Sequence, residues 1–194
     1  MSQTIVQLQL GDLFESTADI LVIPCSTAGT MSAPFRNGFA KLGISSLALP
    51  ERKLGLLEDF TNEIPVLRNI PQRFLFAVSV DNQSSNYGAI EQISFSLALK
   101  TKEAGVNNIA CPLLGTGAGG LAPQEVFRII KETFERNASP ESRLTIIIFE
   151  EPLFDQLGGR TQKKDTPEKE KYTSEKEKEK TLKKGITYYA VGAS

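Results

Sequence analysis

Residues 115–120 read GTGAGG, four glycines in six positions. The apolar run NIACPLL (108–114) stands before them, and PQEVFRIIKETFERN (123–137) follows with apolar residues at helical spacing behind Pro123. Proline suits a first helical turn, where its missing N–H would have no partner anyway. A strand that passes through glycines straight into a helix is half of a βαβ unit. Chains made of such units fold as α/β layers with helices on both faces of the sheet. Two readings of the glycines stand side by side. Their backbone either approaches a ligand and aims several N–H groups at one anion, helped by the helix start, or it serves only tight helix–sheet packing. The segment lacks the Gly-Lys-Ser/Thr ending of a Walker loop. It is also not a GxGxxG fingerprint after the first strand.

The rest of the first 150 residues repeats the alternation. TIVQLQL (4–10) has the period of two expected of a strand, and DILVIP (19–24) and RFLFAVSV (73–80) read as strands buried on both faces. RLTIIIFEE (143–151) reads as a last strand. PFRNGFAKLG (34–43) and AIEQISFSLALKTKEAG (89–105) read as helices, the second with Ile90, Ile93 and Leu97 on one face and Gly105 as its cap. Residues 44–72 hold three prolines and stay ambiguous, with LGLLEDF (54–60) readable either way. Ligands of such folds sit at the carboxyl ends of the strands. Three segments place small residues there: Cys25–Ser32, Ser79–Ser85 and Gly115–Gly120. They form one cleft if their strands are neighbours.

Composition restricts the chemistry. The 194 residues include no histidine and only Cys25 and Cys111. This excludes Ser-His-Asp and Cys-His catalysis and any zinc site with histidine or four thiolates within the chain. No metal and no cofactor are expected. Both cysteines read as reduced, buried thiols. No apolar run approaches the roughly 18 residues of a membrane span, and no secretory signal opens the sequence, so a cytoplasmic protein with no membrane partner is expected. Residues 1–159 hold 12 basic against 17 acidic side chains, so no nucleic-acid partner is expected. Residues 160–184 reverse the balance, 10 basic against 6 acidic, and read as a solvated spacer or transient helix.

At this point CPLLGTGAGGLAP (111–123) resembles the second phosphate loop of macrodomains, which bind ADP-ribose. GDLFESTADILVIP (11–24) resembles their opening turn and strand. The helix after the glycine loop and the closing IIIFEE fall where a macrodomain has them, so the resemblance spans about residues 3–151. It implies a three-layer α/β/α fold with a central mixed sheet. It also implies that Asp12, beside Leu13, reads the adenine amino group, although turn capping is the other reading of Asp12. Gly115, Thr116, Gly117, Ala118, Gly119 and Gly120 would hold the diphosphate and distal ribose, and Phe149 would stack near adenine.

The first loop departs from the family pattern. Where hydrolase-type macrodomains have Asn-Ala-Ala-Asn and then three glycines, this chain has PCST and then AGTMSAPF, so Thr27 replaces the last asparagine. Cys25, Ser26, Thr27 and Thr30 would shape the distal site, with Ser79 and Asp81 beside it; Asp81 and Asn82 either touch a ribose or form an Asx turn. The departure favours binding without turnover, with no catalytic residue assigned, over the alternative of ADP-ribosyl or O-acetyl-ADP-ribose hydrolysis. The expected organisation is a nucleotide-binding domain over 1–155, a charged linker over 156–184 and a strand-like tail over 185–194. The tail resembles the opening strand of caspase-like domains. The segments PCSTAGT and LLGTGAGGL resemble a macro-like subgroup found beside effector domains in bacterial immunity, and together with the tail they imply a C-terminal effector partner governed by an NAD-derived ligand.

Overall fold

The computed structural model describes residues 4–159. The expected linker beyond residue 159, the strand-like tail and its caspase-like resemblance lie outside the described residues. The sheet has six strands: β1 (Ile5–Leu10), β2 (Ile20–Ser26), β3 (Leu57–Glu58), β4 (Arg73–Val80), β5 (Asn108–Pro112) and β6 (Arg143–Ile148). Their order is β1-β6-β5-β2-β4-β3, parallel throughout except for the two-residue β3. The helices are α1 (Ala33–Lys41), α2 (Tyr87–Lys100), α3 (Pro123–Asn137) and α4 (Glu151–Gln156).

The apolar runs dictate the layers. In β4, Leu75 and Ala77 point into one core with Ile90, Ile93 and Leu97 of α2 and Val126, Ile130 and Phe134 of α3. Their neighbours Phe74, Phe76 and Val78 point the other way, into a second core with Phe39 of α1 and Phe60. Period-two alternation with both sets apolar is what a strand between two helical layers requires. The expected α/β/α architecture with a mixed sheet is therefore observed. The second core is largely aromatic. Phe39 lies between Phe14, at 5.3 Å between ring centroids, and Phe74, at 4.9 Å. Truncating the fully buried Phe76 in this cluster would cost about 3–5 kcal/mol. Gly38 belongs to the same packing: a Cβ there would fall 2.0 Å from the Phe14 ring, so the ring lies directly on the α1 backbone.

Several boundaries differ from the sequence reading. β2 continues through Cys25 and Ser26, which the reading gave to the loop, because pairing with β4 persists past a bulge between them. β6 stops at Ile148 rather than residue 151, and α4 begins with Pro152 in its first turn. α2 starts at Tyr87 because the Asn86 side chain accepts from the Ala89 N–H at 2.8 Å. It ends at Lys100, and the segment to Gly105 is turn. The ambiguous stretch from 44 to 72 becomes β3 and two 3₁₀ turns.

Candidate functional site

The sheet order creates a crevice. From β2 the chain moves toward β4, and from β5 it moves toward β6. The loops at the carboxyl ends of these two neighbours therefore depart in opposite directions, the arrangement at which α/β sheets bind ligands. β2 and β5 pair only at Ile20 and Leu21 and then part, which widens the crevice. Two cavities open there. The first, about 580 Å³, lies between the β2–α1 and β5–α3 loops, and the second, about 500 Å³, lies toward β6. Phe35 lines both, so they adjoin.

The first cavity receives Cys25, Ser26, Thr27 and Thr30 from the end of β2 and the loop after it, and Ser79 from β4. From the glycine loop it receives Gly115, Thr116, Gly117 and Ala118. Gly115 and Gly120 both have φ of +69°, a left-handed conformation that glycine adopts without strain. Between them the turn closes through Gly120 N–H to Gly117 O at 3.1 Å and Leu121 N–H to Gly115 O at 3.0 Å. The N–H groups of Thr116, Gly117, Ala118 and Gly119 have no hydrogen-bond partner among the described residues. Three of those four residues line the cavity.

The glycine loop is braced from behind. Gly119 O accepts from Ser85 N–H at 3.1 Å, and a Cβ on Gly119 would meet Gly115 O at 2.5 Å. Gly119 and Gly120 thus shape the loop without lining the cavity. On the opposite loop, the Ser26 and Thr30 hydroxyls bond each other at 2.7 Å, and Ser26 Oγ accepts from Thr30 N–H at 3.0 Å.

Asp81 also lies off the lining. It starts a tight turn, with Asp81 N–H bonded to Ser84 O and Ser84 N–H to Asp81 O, both at 2.8 Å. Asn82 and Gln83 at the tip have φ of 44° and 63° and line the cavity in its place. The sequence reading reached Gln83 only as part of the 79–85 segment, and it did not find Phe35, whose only mark is its place after Pro34.

Charge is nearly absent from the first cavity. Its one ionisable lining group is the Cys25 thiol, which burial, and secondly the charge of Glu58, push up to about 12, so it is neutral at physiological pH. Cys111, within β5, is fully buried, and burial raises its thiol as well. The Ser79 hydroxyl is buried and has no partner among the described residues.

The second cavity is built from side chains. Asp12, Leu13 and Phe149 line it as the sequence reading grouped them, joined by Phe14, Lys41 and Glu150. Asp12 does cap a turn, its Oδ1 accepting from Phe14 N–H at 3.0 Å, while Oδ2 lies 3.6 Å from Lys41 Nζ. Phe149 is 73% exposed, an unusual position for a large aromatic ring. Among the described residues no helix is long and apolar enough to cross a membrane, and no cluster of three potential metal ligands occurs.

Six strands in this order, helices on both faces and a glycine loop at the crevice are the macrodomain fold. Solved structures bear this out. The macrodomain of Thermus aquaticus DarG is 22% identical over 75% of this chain and 99% of its own, with a TM-score of 0.53. The Trypanosoma brucei macrodomain in complex with ADP-ribose is 14% identical over 78% of this chain and 67% of its own, at 0.58. The Oceanobacillus iheyensis macrodomain with ADP is 14% identical over 78% and 87%, at 0.54. No family model matches the chain, and no curated protein does.

Proposed function

We propose that this chain binds ADP-ribose or a related NAD-derived nucleotide across the two adjoining cavities, and that it reads the ligand rather than cleaving it. The observation that carries this is the set of four unpartnered N–H groups at 116–119 beside a cleft shared with Asp12 and Phe149. Unpartnered backbone amides in a glycine turn suit a diphosphate. In this reading Phe149 stacks on adenine, Asp12 accepts from its amino group, and the first cavity takes the distal sugar. ADP-ribose in the T. brucei macrodomain and ADP in the O. iheyensis one support it, because their fold is the same.

Reading rather than turnover is supported by the chemistry of the first cavity. Hydroxyls, amides and a neutral thiol line it, and general-base catalysis needs a group that takes a proton near neutral pH. A sensor coupled to a C-terminal effector in bacterial immunity follows as the biological role. Ligand binding would change the equilibrium of whatever the chain after residue 159 engages. Calorimetry with ADP-ribose, its cyclic isomers and NAD tests the binding. Catalytic release of ADP-ribose from a mono-ADP-ribosylated protein would replace this reading with the hydrolase one.

A further inference from the structure

The first cavity has a polarity set from behind its wall. Thr27 lines it, and the Thr27 hydroxyl donates to Asp81 Oδ1 at 2.7 Å. A hydroxyl has one proton and two lone pairs, so Thr27 has only lone pairs left for the cavity. The pair is held in register by backbone. Thr27 N–H bonds to Val80 O at 2.9 Å, and Asp81 is closed into its turn by two main-chain bonds to Ser84. The Asp81 charge therefore stands one hydrogen bond behind the Thr27 oxygen. No lysine or arginine lines the cavity to offset it. The glycine loop presents the reverse character, with unpartnered N–H donors at Thr116, Gly117 and Ala118.

We infer that Asp81 is the positioning residue that sets specificity in the first cavity: it holds Thr27 as a hydrogen-bond acceptor, so the group seated beside Thr27 is a neutral, hydroxyl-bearing sugar and not a second phosphate. The inference rests on the nucleotide reading above and names what the far end of that nucleotide must be. A sugar hydroxyl gives its proton to Thr27. A phosphate there finds lone pairs and a carboxylate, both repulsive. The acceptor at Thr27 and the N–H donors of the glycine loop thus stand in one cavity, and a diphosphate ligand would lie with its phosphates toward the glycine loop.

The test is calorimetry on the full chain with three probes: ADP, ADP-ribose, and ADP-ribose phosphorylated on its distal ribose. The native protein should prefer plain ADP-ribose over the phosphorylated form by about tenfold, the upper size of one lost hydrogen bond between neutral groups. Asp81→Asn keeps an oxygen for the Thr27 proton and removes the charge, and should narrow that preference about threefold. Asp81→Ala also releases the proton and should bring the preference close to unity. Thr27→Val removes the acceptor and should lower the ADP-ribose-to-ADP affinity ratio about fivefold.

A merely structural role for Asp81 would weaken both forms of ADP-ribose alike. An unchanged preference in Asp81→Asn and Asp81→Ala overturns the inference, as does a native protein that binds the phosphorylated form as tightly as the plain one. If ADP-ribose binds but the preference is absent, only this inference fails. If none of the three probes binds the native chain, the nucleotide reading fails with it.

Discussion

The cavity at the glycine loop and the cavity at Asp12 meet at Phe35, yet they are made of different material. The first is lined by main-chain amides, small hydroxyls and a neutral thiol. The second is lined by Phe14, Phe149, Asp12, Lys41 and Glu150. Backbone cannot be mutated away, only distorted or blocked, whereas side chains can be removed one at a time. The glycine-loop side of the first cavity should therefore respond to added atoms and the second cavity to deleted ones.

The largest effect should come from Gly117→Glu. A Cβ at Gly117 meets nothing within 4 Å, so the fold should tolerate the change, while a carboxylate would stand among the unpartnered amides. ADP-ribose affinity should fall about hundredfold, measured by calorimetry, with thermal unfolding unchanged. Gly117→Ala should leave both intact.

Gly119→Ala breaks the comparison in another way, because a Cβ there collides with backbone. It should cost about 1–3 kcal/mol of stability in denaturant unfolding, the usual cost of overpacking, and weaken binding as the loop shifts. In the second cavity Phe149→Ala should leave stability within about 0.5 kcal/mol, since the ring is mostly exposed. It should weaken adenine nucleotides about tenfold, as expected for one lost base–aromatic stack. The smallest effect should be Gln83→Gly. A two-residue turn with positive φ at both central positions favours glycine second, so this change should raise stability by about 0.5 kcal/mol in the same assay.

The same difference in material explains what the sequence revealed. Features with a local cause were legible. α3 spans 123–137 as read, because Pro123 marks its start and its apolar spacing marks its face. β4 was equally clear, since the five consecutive residues from Phe74 to Val78 satisfy two cores at once. The glycine loop announced itself because its turn needs glycine at 115 and 120. Features with a tertiary cause were hidden. β3 is fixed by Gly55 N–H to Val78 O and Val78 N–H to Leu56 O, both at 2.8 Å, which no local pattern encodes.

Asp81 shows the limit most clearly. Its residue type placed it near the ligand. Only the fold shows that it faces Thr27, 54 positions earlier in the chain, and that Asn82 and Gln83 hold the lining position instead. The start of α4 is a different case. Pro152 was a legible signal that the apolar run before it outweighed.

The central claim concerns four amides, and amides can be observed singly. In a ¹⁵N-labelled sample titrated with ADP, the account predicts that the N–H resonances of Thr116, Gly117, Ala118 and Gly119 move together with saturation while Phe149 ring signals shift in parallel. Saturable ADP binding that leaves those four amides unmoved would contradict it.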